Sequence, residues 1–225
     1  MKRFKLLLLL FAIAVTIVSF AAQRAQADVF NPLSTLKGIP LPPTTWDTPG
    51  STSPLASVQR VSTVTVHPYL PFQTSVSHMR EAYSGAMGTS FAFDVGSFGI
   101  EHISNLTYVA NSGVTCSHNA NLLVTCTGSS ISQVTIDFDY TYIANDYTGR
   151  SIWWGYTGSS NYALDYTFNL IFPAPLVYVK PKSLVPVSVT ANQITWYQAN
   201  TRSLPGAAQF DDPRVQVMYL PLIIR

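Results

Sequence analysis

The sequence predicts an all-β fold, a sandwich or barrel of short antiparallel strands, and three observations predict it. Only 11% of the residues are charged, against about 25% in an ordinary soluble protein. Ser, Thr and Asn supply the polarity instead, and Tyr, Val and Thr, which suit a half-buried pleated surface, are frequent. The segment VTIDFDYTYI (134–143) alternates apolar and polar residues without a break, and the other apolar runs are short, with turn residues between them.

The chain opens with Lys2, Arg3 and Lys5, then an uncharged apolar run from Leu6 to Ala22, then Ala25-Gln26-Ala27. That order predicts a secretory signal peptide over 1–27, with an uncleaved membrane anchor as the alternative. Cleavage would leave Asp28 at the N-terminus. Residues 28–57 carry prolines at 32, 40, 42, 43, 49 and 54. They read as an extended linker that builds no ladder. Residues 58–225 read as the β-sandwich domain, as one unit or as two subdomains, 58–145 and 146–225.

Within that domain VQRVSTVTV (58–66), SFAFDV (90–95) and SNLTYVA (104–110) are expected strands, and SVSHMREAY (75–83) is the one stretch that reads as a short helix. In 134–143, Val134, Ile136, Phe138, Tyr140 and Tyr142 fall on one face and Thr135, Asp137, Asp139 and Thr141 on the other. Further strands are expected at 162–172, 176–180, 185–190, 193–198 and 215–224, with Pro-Ala-Pro and Lys-Pro-Lys as turns. The last strand contains Pro221, which cannot donate to a ladder, so it belongs at an edge or bulge. The competing reading of 215–225 is a sorting signal.

Export bears on the only two cysteines, Cys116 and Cys126. Outside the cytoplasm paired cysteines are usually disulfides. Val114 to Cys116 and Leu123 to Cys126 read as two strands joined by His118-Asn119-Ala120-Asn121, a hairpin that brings both thiols to one face. The alternative is a metal site, but two thiolates and His118 fall short of the four ligands of a structural zinc. No metal and no cofactor is therefore expected.

Residues 1–27 hold four of the 13 basic residues and none of the 11 acidic ones, so removing them turns the +2 of the whole chain into −2. A slightly acidic chain leaves no electrostatic footprint for nucleic acid and no polybasic patch for anionic lipid. No stretch after the signal is long and apolar enough to span a bilayer. The partners that remain are surface glycans or other cell-envelope proteins, at the cell surface or in the secreted fraction.

Catalytic motifs are missing. There is no G-x-S-x-G and no H-E-x-x-H, and His67, His78, His102 and His118 lie in different segments. Asp137 and Asp139, at i and i+2, share one face of a strand. They could bind calcium, act as acid and base on a glycan, or simply face water and discourage edge pairing, which is the favoured reading. IWWGYTGSSNY (152–162) is rich in aromatics. Adjacent Trp153 and Trp154 in an extended segment cannot both face inward, so Trp153, Trp154 and Tyr156 are candidates for a sugar-stacking or protein-contact platform. The competing reading packs both tryptophans.

Leu106 to Ala110, Cys116, Val124-Thr125-Cys126-Thr127 and Val134 to Thr141 are matching pieces of a longer pattern. The stretch 103–141 resembles the DUF11-type repeat of bacterial surface proteins. The resemblance implies an antiparallel immunoglobulin-like β-sandwich with a hairpin disulfide, and no catalytic residue. The expected function is an exported, non-enzymatic surface or extracellular protein with an adhesion or structural role. The alternatives are a carbohydrate-binding module using Trp153, Trp154 and Tyr156, and a secreted hydrolase using Asp137 or Asp139 with a histidine.

Overall fold

A computed structural model describes residues 45–46, 58–68, 70–145 and 147–215. The expected signal peptide, most of the proline-rich stretch and the C-terminal strand beyond Val215 lie outside the described residues. Among those described, the strands are β1 (Thr45–Trp46), β2 (Gln59–Val66), β3 (Thr74–Ser84), β4 (Ser90–Asp94), β5 (Ile103–Ala110), β6 (Val114–His118), β7 (Leu123–Gly128), β8 (Gln133–Ile143), β9 (Tyr147–Thr148), β10 (Ser151–Ile171), β11 (Val177–Pro181), β12 (Ser188–Val189) and β13 (Gln193–Asp211). Two short 3₁₀ turns, Gly96–Phe98 and Ile100–His102, separate β4 from β5.

These strands form two sheets, one ordered β1-β4-β7-β6 and a larger one ordered β11-β13-β10-β2-β3-β8-β5, with β12 beside β13 and β9 beside β10. Aromatic contacts join the sheets: Tyr83 of β3 meets Phe91 and Phe93 of β4 at 5.0 and 6.2 Å between ring centroids, and Phe98 of the first 3₁₀ turn packs on Phe138 of β8 at 5.2 Å. The inward face of β8 is the one its alternation predicts, Val134, Ile136, Phe138, Tyr140 and Tyr142 all being buried. Strands from both sides of residue 145 share the larger sheet.

Three expectations are corrected. Residues 75–83 lie in strand β3. Its inward positions are Ser75, Ser77, Met79, Glu81 and Tyr83, and so polar a buried face hides its period of two. Thr45 and Trp46, in the gap between Pro43 and Pro49, pair with Ala92 and Phe91, so the proline-rich stretch does contribute a two-residue ladder. Not every pairing is antiparallel: β2 runs parallel to the second half of β10, from Gln59 opposite Asp165 to Thr65 opposite Ile171. Such a pair needs a long connection rather than a hairpin, and here β3 to β9 and the first half of β10 supply it.

Strands β10 and β13 form one long ribbon, from Ser151 opposite Asp211 to Ile171 opposite Gln193. Register shifts between Ser159 and Tyr166 bend it. The ribbon doubles back, so that its own inner faces pack together: Tyr156 meets Phe168 at 5.5 Å and Phe172 meets Phe210 at 4.8 Å. Two glycines permit this approach. A Cβ on Gly158 would overlap the Tyr166 hydroxyl, and one on Gly206 would overlap the Phe168 ring.

Candidate functional site

The disulfide is present. Cys116 stands directly opposite Cys126 across β6 and β7, and their sulfurs are bonded. The turn between the strands is held by Asn119, whose side-chain oxygen accepts from the backbone N–H of Asn121 at 2.9 Å and of Leu123 at 3.0 Å. That is the local bonding that makes Asn a turn residue.

The three aromatic candidates separate. Trp154 is 1% exposed and Tyr156 2%, because both occupy inward positions of β10 where the doubled ribbon and β8 cover them. Trp154 packs edge-on against Tyr142 at 5.2 Å, and the Tyr156 hydroxyl is tied to Glu81 and Arg60. Neither offers a ring face to a ligand, which corrects the three-residue platform. Trp153, on the outward side, is half-buried. Lys182 Nζ sits 4.2 Å from its ring centroid. Gln209 stands opposite Trp153, and Lys180 opposite Gln209, in one cross-strand row.

The carboxylate pair does meet a histidine. On the outward face of the larger sheet His78 Nδ1 lies 2.9 Å from Asp139 Oδ1, and its Nε2 lies 3.2 Å from Asp137 Oδ1. Arg80 Nε donates to Asp137 Oδ1 at 2.8 Å, and Asn105 Nδ2 to Asp139 Oδ2 at 2.7 Å. A base in a hydrolase triad needs one ring nitrogen on a carboxylate and the other on the nucleophile. Here both nitrogens of His78 face carboxylates. Burial alone would push Asp139 up, but the Asn105 amide and His78 outweigh it and hold the carboxyl below its ordinary value. A depressed carboxyl is poorly matched to general-acid work near neutral pH. Of the other histidines, His102 stands beside Glu101 and Tyr140 and His118 beside Tyr108, while His67, exposed after β2, is near enough to Asp139 to help lower its pKa.

One cluster escaped the sequence reading. Arg60 and Glu81, 1% and 0% exposed, form an ion pair in the core. Arg60 Nε donates to Glu81 Oε2 at 2.9 Å, its Nη1 to the Ser159 carbonyl at 2.9 Å, and its Nη2 to the Tyr156 hydroxyl at 2.8 Å. Glu81 also accepts from Tyr156 at 2.8 Å and from Ser62 at 2.6 Å, and Ser62 meets the Tyr166 hydroxyl at 2.8 Å. The guanidinium lies over the Tyr166 ring at 4.6 Å. Burial alone would lower the Arg60 pKa, but Glu81 together with Tyr166, Tyr83 and Tyr156 more than offsets it, and the group is held above its ordinary value. For Tyr156, burial and then Glu81 raise it. A signal was available. Arg60 and Ser62 share the parity of Val58, Val64 and Val66, so alternation alone placed a charge on an inward face.

At the end of β13 Asp212 is buried. Burial would push its carboxyl up, but Arg214, donating to both oxygens at 2.8 Å, and Tyr147, at 2.7 Å, bring it down to about 2. A depressed carboxyl contributes stability that is full above its unfolded pKa and is lost as pH falls through the folded one. A shift of this size corresponds to roughly 2–3 kcal/mol. Asp212→Asn should therefore be less stable than wild type above about pH 4. The gap should close by roughly that amount as pH approaches 2 in denaturant titrations. A gap independent of pH would contradict this assignment.

No family model matches the chain, and no curated protein matches it. Among solved structures it is similar to a Legionella pneumophila protein named as a candidate nutrient binder. Identity is 10%, the match covers 75% of this chain and 71% of that one, and the TM-score is 0.42. A likeness at that level carries no argument.

Proposed function

We propose that the chain is an exported, non-enzymatic bacterial protein acting at or outside the cell surface in adhesion or structural display. The observation that carries this reading is the Cys116–Cys126 bond in the β6–β7 hairpin. Cross-links of this kind persist in oxidising compartments, and the ordered signal-like segment over 1–27 supports the same destination. Among the described residues no helix is long and apolar enough to cross a membrane. The occupation of both His78 nitrogens by carboxylates supports a non-enzymatic role. An immunoglobulin-like kinship with the DUF11-type repeat fits the disulfide hairpin and remains part of this proposal. A second reading, carbohydrate binding, is favoured by the half-buried Trp153 ring alone.

The test is fractionation of the producing cell. The protein should appear outside the cytoplasm, begin at Asp28 and carry no alkylatable thiol without prior reduction. Full-length, reduced protein in the cytoplasm would end the proposal, and membrane-bound protein retaining residues 1–27 would replace cleavage by a signal anchor.

A further inference from the structure

We propose that the outward face of the β10–β13–β11 end binds an anionic polysaccharide, with Trp153 as the stacking surface and Lys180 and Lys182 as the charge partners. This rests on the carbohydrate-binding reading above and names its ligand class. Charge segregation supports it. Between Asp165 and Asp211 the sequence holds no carboxylate, and of the three basic residues there Lys180 and Lys182 lie at this end while Arg202 stands at the bend of the ribbon. The one acidic side chain in the neighbouring row, Asp211, is neutralised by Arg150. Lys180 and Lys182 therefore make this end locally basic in a chain that carries −2 once residues 1–27 are removed.

The geometry gives the positive charge a purpose. Lys180, Gln209 and Trp153 occupy one cross-strand row, so Lys180 and Trp153 stand two strand spacings apart, about 9–10 Å, with an amide between them. The next row is Gly155 and Ala207, with the Lys182 backbone N–H donating to the Ala207 carbonyl at 2.8 Å. Side chains this small leave the edge of the indole standing proud. A neutral sugar would have to displace the Lys182 ammonium from the ring and lose the cation–π contact without return. A uronate or sulfate ester offers that ammonium a new counter-charge as the pyranose takes its place on the indole. Lysines on an edge strand also discourage strand pairing, but that role requires no aromatic ring beneath one of them.

The probes are polygalacturonate and heparin as acidic polymers, dextran as a neutral one, and vesicles rich in anionic lipid, each titrated with the full mature chain. Wild type should bind the acidic polymers, ignore dextran, and weaken as salt rises. The double variant Lys180→Gln/Lys182→Gln should bind at least about tenfold more weakly. Trp153→Phe, which keeps a ring but shrinks it, should lose affinity several-fold with an unchanged melting temperature. No binding to either acidic polymer, equal binding by the lysine variant, or stronger binding to the vesicles than to the polymers would each overturn the inference. If those results came from protein found outside the cell, the adhesion or display reading would stand without this ligand.

Discussion

Alanine at position 81 should destabilise the fold by about 3–5 kcal/mol, because it leaves the Arg60 guanidinium buried without its counter-charge. The loss reaches beyond the pair, since Glu81 also accepts from Tyr156 and Ser62. Replacing both partners by apolar residues of similar volume, Arg60→Met with Glu81→Leu, should recover most of the loss, since an apolar pair has no desolvation cost to offset. The recovery should be incomplete, because the Ser159 carbonyl and the Tyr156 hydroxyl would each lose a buried partner. Denaturant unfolding of wild type, Arg60→Met, Glu81→Leu and the double variant in a double-mutant cycle measures the coupling. A Glu81→Ala variant within about 1 kcal/mol of wild type would mean that water reaches the guanidinium.

Alanine at Gly158 should cost about 1–3 kcal/mol or more by overpacking. The added methyl would overlap the Tyr166 hydroxyl directly, and Tyr166 is held in place by Ser62. The effect is steric, since a strand otherwise favours alanine over glycine in backbone entropy. Tyr166→Phe removes the closest obstruction, the hydroxyl, but leaves the ring carbons Cζ and Cε1 at 2.5 and 2.7 Å from the added methyl, so the double variant should recover only part of the loss and still be less destabilised than the sum of the two single changes. Additivity in thermal or denaturant unfolding would indicate that the ribbon accommodates the methyl by moving apart.

The legible parts of the fold were those where side-chain chemistry and burial agree. Strand β8 could be read outright because all its inward residues are apolar or aromatic. Strand β3 could not, because Ser75, Ser77 and Glu81 point inward, and Glu81 is stabilised there by Arg60, Ser62 and Tyr156, partners distant in sequence. The second half of β13, around Pro205 and Gly206, carries no alternation to read. It is extended because β10 and β11 pair with it and because Gly206 must pass beneath Phe168. At the candidate site, one outward and one inward tryptophan followed from strand geometry. Which faced out depended on how the ribbon folds back, and that contact is between residues far apart in the chain.

The parallel pairing of β2 with β10 also dictates the order of assembly. Gln59 cannot meet Asp165 until the intervening hundred or so residues have been made. Until then β2 has one open flank, and the Arg60 guanidinium lacks both Tyr156 and the Ser159 carbonyl. A chain emerging from the ribosome therefore keeps that charge hydrated and its first hairpin loose. Closure is reserved for the moment the β10–β13 ribbon arrives. Fragments ending before residue 171 should be collapsed and prone to association rather than partly native, so that the end of β10 acts as the clasp for β2.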